Sequence, residues 1–254
     1  MVNVKRSQLI EYLDEYLRIG EIADYGPQGL QVETENEEIA RIALAVDVAP
    51  VVIEAAAAWE ADMLLVHHGI LWRDVERIAG PLGRRVRLLL QHGINLYAAH
   101  LPLDAHPEVG NNAILARLLG IKVTEWWCAP KDTPIGVMGS APTGTTLDEL
   151  VSRVNEQLKT QARVLAYGPK QAGVIGIISG FGADEVAAAS ALGADTLLTG
   201  ETSHAHYWAA ADHGMNVIFA GHYATETVGV QALGRHLADK FGLEIKFFDF
   251  PTSM

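Results

Sequence analysis

Short apolar runs recur along this chain, and the stretches between them have helical spacing. That alternation leaves few folds open. Ile42–Val46, Met63–Val66 and Asn95–Ala99 read as strands. Between them lie an alanine-rich helix from Pro50 to Trp59 and a helix through Arg84 to Gln91. Pro50 suits a first helical turn, where its missing N–H costs nothing. Strands that are apolar throughout, rather than at alternate positions, are buried on both faces. The β-α-β-α-β order therefore predicts α/β architecture: a mostly parallel sheet with helices on both faces. An opening helix over 8–18 places Leu9, Leu13, Tyr16 and Leu17 on one side. The Gly/Pro segment 25–32 stops it, and either borders a cleft or forms a plain turn.

The second half repeats this order. Val174–Ile178 corresponds to Ile42–Val46, the helix from Asp184 to Leu192 to the alanine-rich one, and Gly193–Leu198 to Glu60–Leu65. Asp212-His213-Gly214-Met215-Asn216 parallels Gln91-His92-Gly93-Ile94-Asn95. The match needs a one-residue insertion before His222 and a longer loop after His68. Shared α/β grammar could produce part of it; internal duplication into two similar α/β halves accounts for more. The expected division is 1–125 and 126–254, with Trp126-Trp127-Cys128-Ala129-Pro130 at the junction and the C-terminal helix region packing on the first half. Between the repeats lie a strand over 135–141, a capping box at Thr146–Glu149 opening a helix to Lys159, and a strand over 163–167.

Composition excludes several classes. A chain of 254 residues, 49% hydrophobic, buries enough surface to fold without staples. A formal charge of −12 argues against a nucleic-acid surface, which needs clustered Lys and Arg. The densest basic patch, Arg84-Arg85-Val86-Arg87, reads as the wet face of a helix. With Cys128 as the single cysteine, neither an intrachain disulfide nor a thiolate cluster is possible. The N-terminal residues lead into an amphipathic stretch rather than a signal peptide. No apolar run reaches the roughly 18 residues of a membrane span. The expected location is the cytoplasm.

Chemistry gathers where the apolar runs stop. Met63–Val66 is followed by His67-His68, Asn95–Ala99 by His100 and then Asp104, and the apolar run ending in Phe219-Ala220-Gly221 by His222 and then Glu226. In open α/β sheets, ligands bind beyond the carboxyl ends of the strands. His67 and His68 would point to opposite faces unless the strand has ended, which Gly69 allows. Pro102 disfavours a helix through Leu101, so a loop is expected to join His100 to Asp104. His222 and Glu226 open a helix to about Asp239, and their spacing puts both on one side. Six nitrogen and oxygen donors exceed the roughly four of one tetrahedral ion, which suggests two divalent ions; zinc, manganese and iron all suit the set. The remaining histidines (His92, His106, His204, His206, His213 and His236) read as ordinary hydrogen-bonded groups, and Cys128 as buried filler.

Taken together, Tyr25 to Glu33, Val66-His67-His68-Gly69, His100 to Glu108, Gly110-Asn111-Asn112, Thr199-Gly200-Glu201 and Ala220 to Glu226 resemble the NIF-three-like family. Its members are commonly named type 2 homologues of GTP cyclohydrolase I. The likeness is to the short bacterial form and spans nearly the whole chain; one departure is Gly26-Pro27-Gln28, where relatives often carry Asn before Gly-Leu-Gln. The resemblance implies two α/β halves with a dinuclear metal centre in the cleft between them, held by His67, His68, His100, Asp104, His222 and Glu226. It also implies a toroidal homohexamer, a trimer of dimers, with the Gly/Pro loop and Glu201 near the metals.

Two functions follow. One is a metal-dependent hydrolase acting on a small molecule, such as the guanine ring of GTP or an ester or amide, with Glu201 or His106 moving protons. No G-x-x-x-x-G-K loop occurs, so triphosphate recognition lacks a motif. The other is a metal-binding ring acting as a scaffold, metal carrier or stress factor. Open metal positions favour the first, because structural sites are usually closed by four ligands.

Overall fold

The computed structural model describes residues 2–72 and 77–252. The longer loop expected after His68 includes 73–76, outside the described residues. Along the chain run β1 (Val4–Lys5), α1 (Arg6–Tyr16), β2 (Gly29–Val32), β3 (Glu38–Ile39), β4 (Arg41–Asp47), α2 (Pro50–Ala58), β5 (Met63–His68), α3 (Gly80–Gln91), β6 (Asn95–Ala98) and α4 (Leu101–Asp104). Next come α5 (Asn111–Leu119), β7 (Lys122–Trp127), β8 (Gly136–Ser140), α6 (Leu147–Leu158), β9 (Arg163–Ala166) and β10 (Val174–Phe181). The chain continues with α7 (Val186–Ala191), β11 (Thr196–Glu201), α8 (Tyr207–Asp212), β12 (Asn216–Phe219), α9 (His222–Phe241) and β13 (Glu244–Phe247). Among the described residues, no helix is long and apolar enough to cross a membrane.

The chain divides into two compact units: 1–103 with 230–250, and 104–229 with 251–254. The expected boundary at 125/126 instead falls inside β7. Strand pairing explains the difference. β7 is hydrogen-bonded to β8 in the second unit, whereas β13 pairs with β4 and carries residues after 230 into the first.

In the first unit the sheet order is β13-β4-β5-β6-β2, parallel except at β6–β2. Residues 42–46, 63–67 and 95–98 are all buried, because helices cover both faces. On one face Ala43, Ala45, Leu64, Val66 and Leu96 pack with Val52, Ile53 and Ala56 of α2 and Leu89 of α3. The other face receives α1, where Asp14 accepts a hydrogen bond from the buried Tyr97 hydroxyl at 2.8 Å. That face also receives α9, which approaches so closely that a Cβ on Gly234 would lie 2.2 Å from Leu44 Cδ1. Each fully buried Leu or Ile contributes about 1.5–3 kcal/mol, so this two-sided burial dominates the unit's stability.

The second unit's sheet, β7-β8-β10-β11-β12-β9, is parallel only through β10-β11-β12. Its β7–β8, β8–β10 and β12–β9 pairings are antiparallel, so the expectation of mostly parallel sheets holds for the first unit alone. The connection from β7 to β8 is too short for the crossover that parallel strands need. Val186 and Ala189 of α7 and Ala210 of α8 pack with Leu197 and Val217 of the sheet. Thr146 caps α6 in a complete capping box with Glu149, as its spacing predicts.

Two local expectations change. Part of the 25–32 segment is a strand, since β2 pairs antiparallel with β6 starting at Gly29, whose φ of 91° suits glycine. His100 and Asp104 are joined by the four-residue helix α4 rather than a loop. Pro102 is tolerated because first-turn N–H groups have no intrahelical partner anyway.

Candidate metal centre

In the first unit three imidazoles converge. His67 and His68 close β5, and His100 directly precedes α4; one ring nitrogen from each lies within 4.8 Å of the others. The His67 and His68 rings are 4.8 Å apart although both are strand residues. Strict alternation is relaxed at the strand's end, where Gly69 follows.

Each ring is held from behind. His67 Nδ1 meets the Ala99 carbonyl at 2.9 Å, His68 Nδ1 meets Asp47 Oδ1 at 2.9 Å, and His100 Nδ1 meets Asp24 Oδ1 at 2.8 Å. Carbonyl and carboxylate oxygens only accept, so in each neutral ring Nδ1 carries the proton and Nε2 the lone pair. Such outer partners fix the orientation and basicity of metal-binding histidines. Asp47 lies opposite His68 in the β4–β5 register. The 24–31 segment also serves this cluster. Gln28 Oε1 accepts from the His100 N–H at 2.8 Å, and Gln31 Oε1 accepts from the Ile70 N–H at 2.8 Å. Tyr25 and Trp72, both partly exposed, lie 6.2 and 5.1 Å from the His100 ring.

The second unit carries a different arrangement. His222 opens α9, and its Nε2 lies 3.1 Å from Glu226 Oε1, one helical turn on. Its Nδ1 lies 3.0 Å from Glu201 Oε1 at the end of β11. Burial pulls the imidazole's pKa down, but the hydrogen bonds and charges of Glu226 and then Glu201 outweigh it and hold it up to about 9. Glycines make room here. Gly180 has φ 64°, and a Cβ on it would lie 2.4 Å from Glu226 Oε1 and 3.1 Å from His222 Nε2. Asp104 is buried in a polar network, accepting from Asn111 Nδ2 at 2.9 Å and Ser179 Oγ at 3.3 Å.

Within the first unit the structure brings His67, His68 and His100 together, and within the second His222 and Glu226. Glu201, a candidate proton carrier, sits behind His222. His106, the other, accepts at Nδ1 from the backbone N–H groups of Glu108 and Val109 at 3.2 and 3.3 Å, which ties that nitrogen to the turn before α5. Sequence reading missed Asp24, Asp47 and Gly180. Asp47 carried a usable signal, a carboxylate ending the apolar run Ile42–Val46; Asp24, 76 positions from its partner, carried none.

The donor set fits a divalent metal: imidazoles with Nδ1 engaged, buried carboxylates, and Gly180 at a place where a Cβ would meet Glu226 Oε1.

Comparison with known proteins agrees over the full length. The sequence model of Duf34/NIF3 (NGG1p interacting factor 3) matches residues 4–253. A GTP cyclohydrolase 1 type 2 homolog of Deinococcus radiodurans is 43% identical over 251 residues, covering 99% of this chain and 95% of that protein. One from Pyrococcus abyssi is 42% identical over 252 residues, covering 99% and 100%. The crystal structure of TTHA1606 from Thermus thermophilus superposes with a TM-score of 0.90 at 39% identity, covering 99% of this chain and 100% of that one. This chain belongs to the Duf34/NIF3 (NGG1p interacting factor 3) family.

Proposed function

We propose that this chain is a divalent-metal-dependent hydrolase of a small molecule, with His67, His68, His100, Asp104, His222 and Glu226 holding two metal ions. The observation that carries the reading is the triad of imidazoles, each with Nδ1 engaged by an acceptor and therefore offering Nε2. Bound divalent ions supply an activated water and polarise the bond under attack. The protein's own groups do the rest. Asp47, Asp24 and the Ala99 carbonyl hold the rings, and Glu201 holds the proton at His222 Nδ1. The relatives' name, GTP cyclohydrolase 1 type 2 homolog, suggests ring-opening of a purine as the first reaction to try. Tyr25 and Trp72 beside His100 suit a planar substrate. We further read the chain as the product of an internal duplication and as a cytoplasmic homohexamer, a trimer of dimers.

Elemental analysis of untagged protein tests the centre, with two ions per chain expected. A substrate screen with that ion then tests the activity. The hydrolase reading falls if no substrate class turns over with metal supplied and Asp104→Ala changes only stability.

A further inference from the structure

Building on the metal-dependent reading, we infer that Asp24 is the positioning residue of His100: its buried carboxylate locks the ring as the Nδ1–H tautomer and presents Nε2 as the ligand atom. The side chain of Asp24 is 2% exposed. Its Oδ1 accepts from the Tyr25 N–H at 2.6 Å and from His100 Nδ1 at 2.8 Å, and its Oδ2 accepts from the Leu101 N–H at 2.8 Å. One carboxylate therefore binds the first N–H of α4 and the imidazole immediately before it. With Gln28 holding the His100 N–H, both the backbone and the ring of this residue are anchored from the 24–28 segment.

Burial separates Asp24 from the other carboxylates behind the imidazoles. Asp47 is 43% exposed and Glu201 31%, so water screens their hold on His68 and His222. Around Asp24 the local dielectric is lower and the same hydrogen bond is stronger. A neutral imidazole in water prefers the proton on Nε2. Asp24 reverses that preference, and without it the ring carries its proton on the nitrogen a metal needs. Replacing a histidine-orienting Asp in serine proteases fails through this same wrong tautomer.

The test uses the full chain, labelled with 15N-histidine and stripped of metal, at about pH 9, above the ordinary imidazole range. Long-range 1H–15N correlation is expected to show His100 as Nδ1–H in the native protein and shifted toward Nε2–H in Asp24→Ala. Zinc affinity, read by competition with a chelating dye, should fall about 10–100-fold. Asp24→Ala also strips an acceptor from Tyr25 and Leu101, so Asp24→Asn is the second variant. It keeps the volume, turns an amide N–H toward one of those backbone donors, and should weaken zinc in the same sense. Asp47→Ala should weaken it less than either. The inference is overturned if His100 stays Nδ1–H in both variants, or if zinc affinity remains within about twofold of native. Native protein that takes up no zinc would sink the metal reading instead, and the tautomer measurement would still decide whether Asp24 sets the ring.

Discussion

The two units place histidines beside carboxylates by the same device and differ at the second ring nitrogen. In the first, Asp47 ends β4 and His68 ends the neighbouring β5, 21 positions on. In the second, Glu201 ends β11 and His222 follows the neighbouring β12, again 21 positions on. In each case an acid on one parallel strand orients an imidazole delivered by the next. The difference is at the second ring nitrogen. His222 faces Glu226 with Nε2 as well, and two acceptors call for two protons. The second unit thus keeps a positive imidazole between two acids, whereas the first gathers three imidazoles, each with one acceptor at Nδ1. A metal taken up at His222 must displace a proton.

The largest effect that would break this comparison is loss of a carboxylate donor. Glu226→Ala and Asp104→Ala should each abolish metal retention, beyond the roughly 10–100-fold penalty typical of an outer partner. Elemental analysis reads the result, and full metal content in either variant would show the ligand set to be wrong. Asp104→Ala should also cost about 1–3 kcal/mol in chemical denaturation, since Asn111 and Ser179 lose their buried acceptor.

Next in size is Gly180→Ala. The left-handed backbone alone costs about 1–2 kcal/mol for a residue with a Cβ. The new carbon also meets Glu226 Oε1, so metal content should fall with stability. Loss of stability with full metal content would mean that the close approach of Gly180 to Glu226 is not needed for the ion.

A smaller effect is expected with pH. The folded-state pKa of His222, about 9, lies above its ordinary 6.5. The charged pair's contribution to stability is therefore fully present below pH 6.5 and lost as pH rises through about 9. Thermal melts of metal-free protein across that window should show the decline, and Glu226→Gln should flatten it. An unchanged slope in that variant would remove Glu226 as the main source of the shift. Smallest of all, His92→Ala and His213→Ala should leave metal content and activity unchanged, because each merely closes a helix, α3 or α8.

The repeated apolar runs made β4-β5-β6 and β10-β11-β12 legible, because a strand buried on both faces has no polar position to disguise it. The capping box at Thr146 was legible for a similar reason, its two partners lying three residues apart. The antiparallel additions were harder. β7 is a largely exposed strand whose tryptophans read as a junction, and β2 hides behind Gly and Pro. The ligand candidates could be read one by one from their places at strand ends or four positions beyond a histidine there. Their supporting residues could not, apart from Asp47.

Local residue order sets the strand and helix alternation, the places where each strand hands its histidine onward, and the donor chemistry of nitrogen and oxygen without thiolate. Those properties are set by neighbours within a few positions. Tertiary structure decided which acid stands behind which imidazole, that β13 returns to pair with β4, and that Asp24 is dry while Asp47 is wet. Such facts depend on segments as much as 203 positions apart meeting in one sheet. Local periodicity carries no record of such meetings, since burial and hydrogen-bond partnership belong to the packed whole.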